Sequence, residues 1–210
     1  MEDCKAVRTP LDVNSKLLKL TEEEYTLEAQ SMTEVPYKQI VGLLIYVMIA
    51  TQSDLAYPIS CANLHMARPG YMYWVAVNRI MPYMKGTCDV KLCLGGANIV
   101  LSGYCDADYA GDTNDRRSTT GYIFKVGSGA VSWNSKRQQT TATSTVGAEY
   151  MATSYSTKEA IWLRQLMADV RCTHHDATTI MCDNQGSMSL AKNLIHHSRT
   201  KHINVQYQFI

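Results

Sequence analysis

The pattern of apolar and polar positions changes character twice along the chain. The first 35 residues offer few candidates for a core and carry the acidic run Glu22, Glu23 and Glu24. That predicts an extended lead-in with room for one short helix. From Tyr37 the run YKQIVGLLIYVMIA predicts a helix, and Ser53-Asp54 caps a second over residues 55–66. After a loop at Arg68-Pro69-Gly70, Trp74, Val77, Ile80 and Met84 recur at helical spacing up to a stop near Gly86. Pro58 and Pro82 fall inside these patterns, where a missing N–H and a steric clash cost roughly 3 kcal/mol. Each predicts a kink or a poorly made helix.

Beyond residue 90 the pattern turns to strands. Residues 90–94, 99–105, 121–126 and 130–133 read as strands separated by turn signals at Gly95-Gly96, residues 112–115 and Gly127-Ser128-Gly129, with a further strand over 139–143. A long helix follows over 146–170, its apolar stripe made of Met151, Tyr155, Ile161, Trp162, Leu166 and Met167. A short strand over 178–182 and a helix over 184–193 complete the pattern. Strands first, then helix–strand–helix, predict an α/β fold: a mixed sheet flanked by helices, preceded by a small helical segment.

Composition narrows the classes. At 210 residues and 46% hydrophobic, the chain can bury a core and is no disordered tract. A net charge of +1 excludes a strongly basic nucleic-acid coat, though the balance runs from −4 over residues 1–36 to +3 and +2 over 37–100 and 101–210. No apolar run reaches the roughly 18 residues of a membrane span. The polar N-terminus lacks a signal-peptide core, so an intracellular place, cytoplasm or nucleus, is expected. Seven cysteines without a C-x-x-C pair point to a reducing compartment. Cys172, His174, His175, Cys182, His196, His197 and His202 fit no zinc-finger spacing.

The candidate chemistry lies in carboxylates at strand ends. Asp106 and Asp108 follow an apolar strand, Glu149 falls in the first turns of the long helix, and Asp183 ends the run IMCD. Three acids gathered by a sheet and a helix repel one another unless a cation intervenes, and oxygen-only ligation suits Mg²⁺ or Mn²⁺. Two such ions about 4 Å apart serve phosphodiester hydrolysis. The same acids would serve as caps and turn residues, and spacing alone favours that reading over a metal site.

A resemblance weighs on that choice. The runs YKQIVGLLIY from Tyr37, WVAVNRIMPYMKGT from Trp74 and GYCDADYAGD from Gly103 resemble copia-type retrotransposon Pol. So do RRSTTGYIF from Arg116, AEYMA from Ala148, CDNQ from Cys182 and HSRTKHI from His197, in the family's order over essentially the whole chain. After the extended acidic lead-in over residues 1–35, the resemblance implies a helical remnant of the reverse-transcriptase connection over 36–95 and an RNase H-like domain over 96–210, truncated at its C-terminus. That domain is expected to hold a mixed five-stranded sheet. Asp106, Glu149 and Asp183 are implied as catalytic, metal-binding acids that take Mg²⁺, or Mn²⁺, and cut the RNA strand of an RNA–DNA hybrid. Asp108 is implied as a supporting residue. His197, Arg199, Lys201 and His202 are implied as contacts to hybrid phosphates, and read equally as a solvated basic loop. Trp133 and Trp162 are expected in the core rather than as base-stacking platforms.

The departures from the family bear on activity. Its run KHID supplies a fourth acid where this chain has Asn204, which brings a carbonyl oxygen and no charge. Val146 and Gly147 replace Thr-Glu at the start of the long helix, Gln52-Ser53 replaces Arg-Pro, and Pro58 and Pro82 replace helix-compatible residues. Weakened metal binding and impaired or lost catalysis are therefore expected. One alternative is an active Mg²⁺- or Mn²⁺-dependent RNase H that tolerates Asn204. Another is a retroelement fragment reused as a non-enzymatic binding protein, including a secreted RxLR-type effector with a host protein as partner. The chain holds no R-x-L-R string to support secretion of that kind.

Overall fold

The computed structural model describes residues 4–12, 17–96, 99–172 and 176–192. It divides into two compact units, Met1–Leu92 and Cys93–Ile210. Among the described residues no helix is long and apolar enough to cross a membrane.

The first unit is helical. Helix α1 (Glu22–Met32) turns the acidic run into its own first turn. Thr21 and Glu24 form a reciprocal capping box there, with negative charge at the positive end of the helix dipole. Helices α2 (Tyr37–Ala50), α3 (Ala56–Asn63) and α4 (Tyr71–Gly86) bury Tyr37, Val41, Leu44, Leu55, Ile59, Tyr73, Val77 and Ile80 in one core. A single 3-10 turn, Ser53–Leu55, leads into α3. The Tyr37 hydroxyl donates to the Ala62 carbonyl at 2.9 Å, so the largest polar group of that core is paired. Pro58 is the third residue of α3, where no intrahelical N–H is required, which explains its tolerance. Pro82 lies inside α4, which runs through it.

In the second unit β1 (Leu101–Asp108), β2 (Thr119–Val126), β3 (Gly129–Arg137) and β4 (Thr179–Met181) form one mixed sheet in the order β3-β2-β1-β4. β1–β2 and β2–β3 are antiparallel, and β1–β4 is parallel. The β2–β3 turn is Gly127-Ser128, with Gly127 at φ 61, a left-handed conformation glycine adopts without penalty. The five-stranded sheet expected from the sequence is corrected to four strands among the described residues. Residues 139–143 leave the ladder because they must reach Ser144, the N-cap of the next helix, and they bury Ala142 on the way. Residues 90–94 pair with no strand, and the chain next touches the sheet in an isolated bridge between Gly95 and Gly127.

Helices α5 (Thr145–Asp169) and α6 (Gln185–Lys192) follow. Val146 and Gly147 do not prevent α5 from starting, since the Ser144 hydroxyl accepts the Gly147 N–H at 3.1 Å. The face of α5 laid on the sheet is Glu149, Ala152, Ser156, Ala160, Leu163 and Met167, at helical spacing and mostly small. Part of the expected stripe is thereby overturned: Ile161, Trp162 and Leu166 are 50%, 56% and 43% exposed. Trp162 is not a core residue, and Trp133 is only half-buried on β3.

Candidate metal-binding site

Three carboxylates meet at one end of the sheet. Asp106 lies near the end of β1, Asp183 follows β4, and Glu149 comes from the second turn of α5; one oxygen of each lies within 4.8 Å of the others. The parallel β1–β4 ladder ends with Tyr104 opposite Met181, and each aspartate comes two residues further along its segment. Asn184, next to Asp183, caps α6 by accepting the Ser187 N–H at 2.9 Å, which fixes the chain just after the acid. Gly186 lets α6 approach α5, because a Cβ there would lie 2.8 Å from a Val146 methyl. Val146, which the sequence marked only as a departure, is therefore the surface on which the Asp183 segment rests.

Glu149 is 7% exposed, and its Oε2 has no hydrogen-bond partner among the described residues. Burial pushes its carboxyl up to about 7, and the charges of Asp106 and Asp183 push in the same direction against the Ala107 N–H. A buried, unpartnered carboxylate oxygen facing two further carboxylates is costly without a positive charge. The donor set is oxygen only, so Asp106, Glu149 and Asp183 fit a hard divalent cation of the Mg²⁺ or Mn²⁺ kind.

Asp108 is not one of the three. Its Oδ1 accepts the Thr119 N–H across β1–β2, and its other oxygen lies against Gly111, where any Cβ would collide with it. Burial raises its pKa, the Thr119 contact opposes the rise, and Asp106 and Asp112 add to it. It braces the β1–β2 connection beside the site. Asn204, His197, Arg199, Lys201 and His202 lie outside the described residues. So do His174, His175 and His196, and among the described residues the carboxylate trio is the one cluster of three metal-ligating groups.

Gln138 was not singled out from the sequence, where it stands in the polar run KRQQTT without a distinguishing signal. It is 5% exposed, and its Nε2 donates to Thr120 Oγ1 and to the Ala148 carbonyl, both at 3.0 Å. It thus ties β2 to the turn of α5 that carries Glu149.

Fold and site define an α/β protein with a carboxylate trio able to hold a divalent cation at adjoining strand ends. Over its whole length the chain is 40% identical to the retrovirus-related Pol polyprotein from transposon TNT 1-94 of Nicotiana tabacum, and 35% identical to that from transposon RE2 of Arabidopsis thaliana. It belongs to the copia-type retrotransposon Pol family, as a Pol-derived fragment. The match covers 16% and 14% of those two polyproteins, so the chain spans about a sixth of their length. It is also 43% identical, over 133 residues, to the secreted RxLR effector protein 161 of Plasmopara viticola. That alignment takes in 63% of this chain and 94% of the effector. No family model and no solved structure matches the chain.

Proposed function

We propose that the chain is an RNase H-like remnant of Pol, with residues 36–95 derived from the reverse-transcriptase connection and 96–210 forming the nuclease-type domain. Its substrate class is the RNA–DNA hybrid, and Asn204 weakens hydrolysis. The observation that carries this reading is the Asp106–Glu149–Asp183 trio at adjoining strand ends in a Pol-derived chain. Asp106, Glu149 and Asp183 would hold the ion, Glu149 through a buried oxygen and the two aspartates through exposed ones. Divalent cations bound there would supply the charge that activates water and stabilises the leaving oxygen of a phosphodiester. Asn204 contributes no charge at the fourth position, so the site holds its ions less firmly.

The test is cleavage of a labelled RNA–DNA hybrid in Mg²⁺ and in Mn²⁺ by the unaltered protein, Asp106→Asn and Asn204→Asp. The expected result is slow cleavage or none by the unaltered protein, at least a tenfold gain in Asn204→Asp, and loss of activity in Asp106→Asn. Cleavage insensitive to Asp106→Asn would remove the trio from the reading. Vigorous cleavage by the unaltered protein would show that three acids suffice and that this is no remnant.

A second reading rests on the Plasmopara viticola relative, of which the chain covers 94%. In that reading the fragment serves as a binding protein acting on a host partner, independently of hydrolysis. Expression in plant leaf tissue, with Asp106→Asn alongside, distinguishes it: an altered immune response that survives the substitution supports it, and an absent response sinks it.

A further inference from the structure

Helix α2 is apolar on every side. Its inner face buries Tyr37, Val41 and Leu44, with Ile40, Ile45, Val47 and Met48 packed half-buried beside them. The outer face of such a helix is ordinarily polar, as on α1, where Glu22, Glu23 and Glu24 are exposed. On α2 it is not: Leu43, Tyr46 and Ile49 are 68%, 75% and 65% exposed, and Gly42 and Ala50 are exposed next to them. At about 3.6 residues per turn these five positions form one continuous arc of the helix surface. No charged residue occurs between Lys38 and Asp54 to interrupt it. A single exposed leucine is ordinary, but three large apolar side chains on one face over two turns mark a surface that another molecule covers.

Gly42 adds a second observation. A Cβ there would meet nothing within 4 Å, so packing inside the chain does not call for a glycine, which weakens a helix relative to alanine. It leaves a notch in the stripe, one turn before Tyr46, where a side chain from outside can enter. The cover is protein rather than lipid. The 14 residues of α2 rise about 21 Å against a bilayer core of about 30 Å, and the stripe lacks the Lys- and Arg-rich flank of a helix that lies on a membrane.

Length indicates which protein. The chain spans about a sixth of the Pol polyproteins it matches, so most of Pol lies outside it. A helix that is apolar all round belongs to the interior of a larger fold. We propose that the Gly42–Leu43–Tyr46–Ile49 face of α2 is the docking surface for the part of Pol that precedes this region in the polyprotein, with a large side chain of that part seated in the notch at Gly42. The inference rests on the Pol origin of residues 36–95 and not on hydrolysis by the carboxylate trio.

The intact chain is produced in one cell with the segment of the TNT 1-94 Pol polyprotein directly before the region aligned with it, and the complex is recovered by a tag on the chain. A one-to-one complex is expected, weakened at least tenfold by Leu43→Glu and by Tyr46→Lys. Gly42→Leu should weaken it as much without lowering the melting temperature of the chain alone, since the position is open. Trp162→Lys, at a comparably exposed apolar position on α5, should leave the complex unchanged. No complex, or one indifferent to the three α2 substitutions, overturns the proposal. Self-association of the chain alone that Leu43→Glu abolishes also overturns it, making a second copy the occupant. A complex with the expected sensitivities, alongside no cleavage of an RNA–DNA hybrid, upholds the docking surface while the nuclease reading fails.

Discussion

Asp106, on β1, and Asp183, just past β4, each lie two residues beyond Tyr104 and Met181, the last pair of the parallel β1–β4 ladder. The chain past that ladder keeps the two carboxylates close, α5 brings Glu149 near both, and one oxygen of each of the three lies within 4.8 Å of the others. The arrangement is electrostatically unfavourable as it stands and becomes favourable when a cation enters. A site selected only for stability would not gather these three groups.

The raised pKa of Glu149 makes stability depend on pH in a stated direction. An unfolded glutamate titrates near 4.5 and the folded one near 7, so the folded state binds the additional proton between those values. This contribution favours folding below the unfolded pKa and is lost as pH rises through 7. Melting temperature without divalent ions should therefore fall between about pH 5 and pH 8, and Mg²⁺ should restore it mainly at the higher pH. Glu149→Gln, which mimics the protonated form, should flatten the pH dependence and abolish the Mg²⁺ effect. A Mg²⁺ effect that persists in Glu149→Gln would place the ion elsewhere.

Cys105 and Cys182 each follow directly on the last ladder pair, Tyr104 and Met181, and both thiols belong to the same apolar cluster. Strand spacing falls within the Cα separation a disulfide needs. Mild oxidation with diamide should form an intramolecular Cys105–Cys182 bond, detected by mass as the loss of two hydrogens and absent in Cys182→Ser. Closing so long a loop should stabilise the domain by about 2–4 kcal/mol. A cross-link between other cysteines in its place would contradict the β1–β4 register.

Gly103 on β1 leaves the space that the Phe124 ring occupies, and Phe124 is fully buried. Gly103→Ala should destabilise the second unit by about 1–3 kcal/mol, as overpacking does in tight cores. Phe124→Leu in the same chain should recover part of the loss, which denaturant titration of single and double variants will reveal. Equal stability of Gly103→Ala and the unaltered protein would show that the ring moves freely.

Pro82 interrupts the hydrogen-bond ladder of α4 at the carbonyl of Asn78. Pro82→Ala restores a donor and removes the ring clash, so it should stabilise the first unit by up to about 3 kcal/mol. The same change at Pro58, where the first turn of α3 needs no N–H, should do far less. Comparable gains at both positions would mean that the difference in helical position does not matter.

Much of this architecture follows from residue order alone. The run from Tyr37, the strand–turn–strand at Gly127-Ser128, the long helix expected over 146–170, and the motifs that mark a Pol-derived chain are all local, and the physics that makes them acts within a few residues. Asp106 and Asp183 stood out for the same reason, each closing an apolar strand, and Glu149 by its place in the first turns of the long helix. Outcomes that depend on distant partners were not legible. Residues 139–143 alternate well enough for a strand, yet the chain spends them reaching the N-cap of α5. Trp162 and Leu166 share the helical period of a buried stripe, but the sheet takes the small-residue face one step round the helix, because only that face allows close packing. Val146 reads as a flaw until Gly186 packs on it, and Gln138 reads as a loop residue until it closes on Ala148. Sequence determined that two acids close strands and a third opens the long helix; only the β1–β4 pairing and the α5–α6 contact decided that they meet, since burial and close approach belong to pairs of residues far apart in the chain.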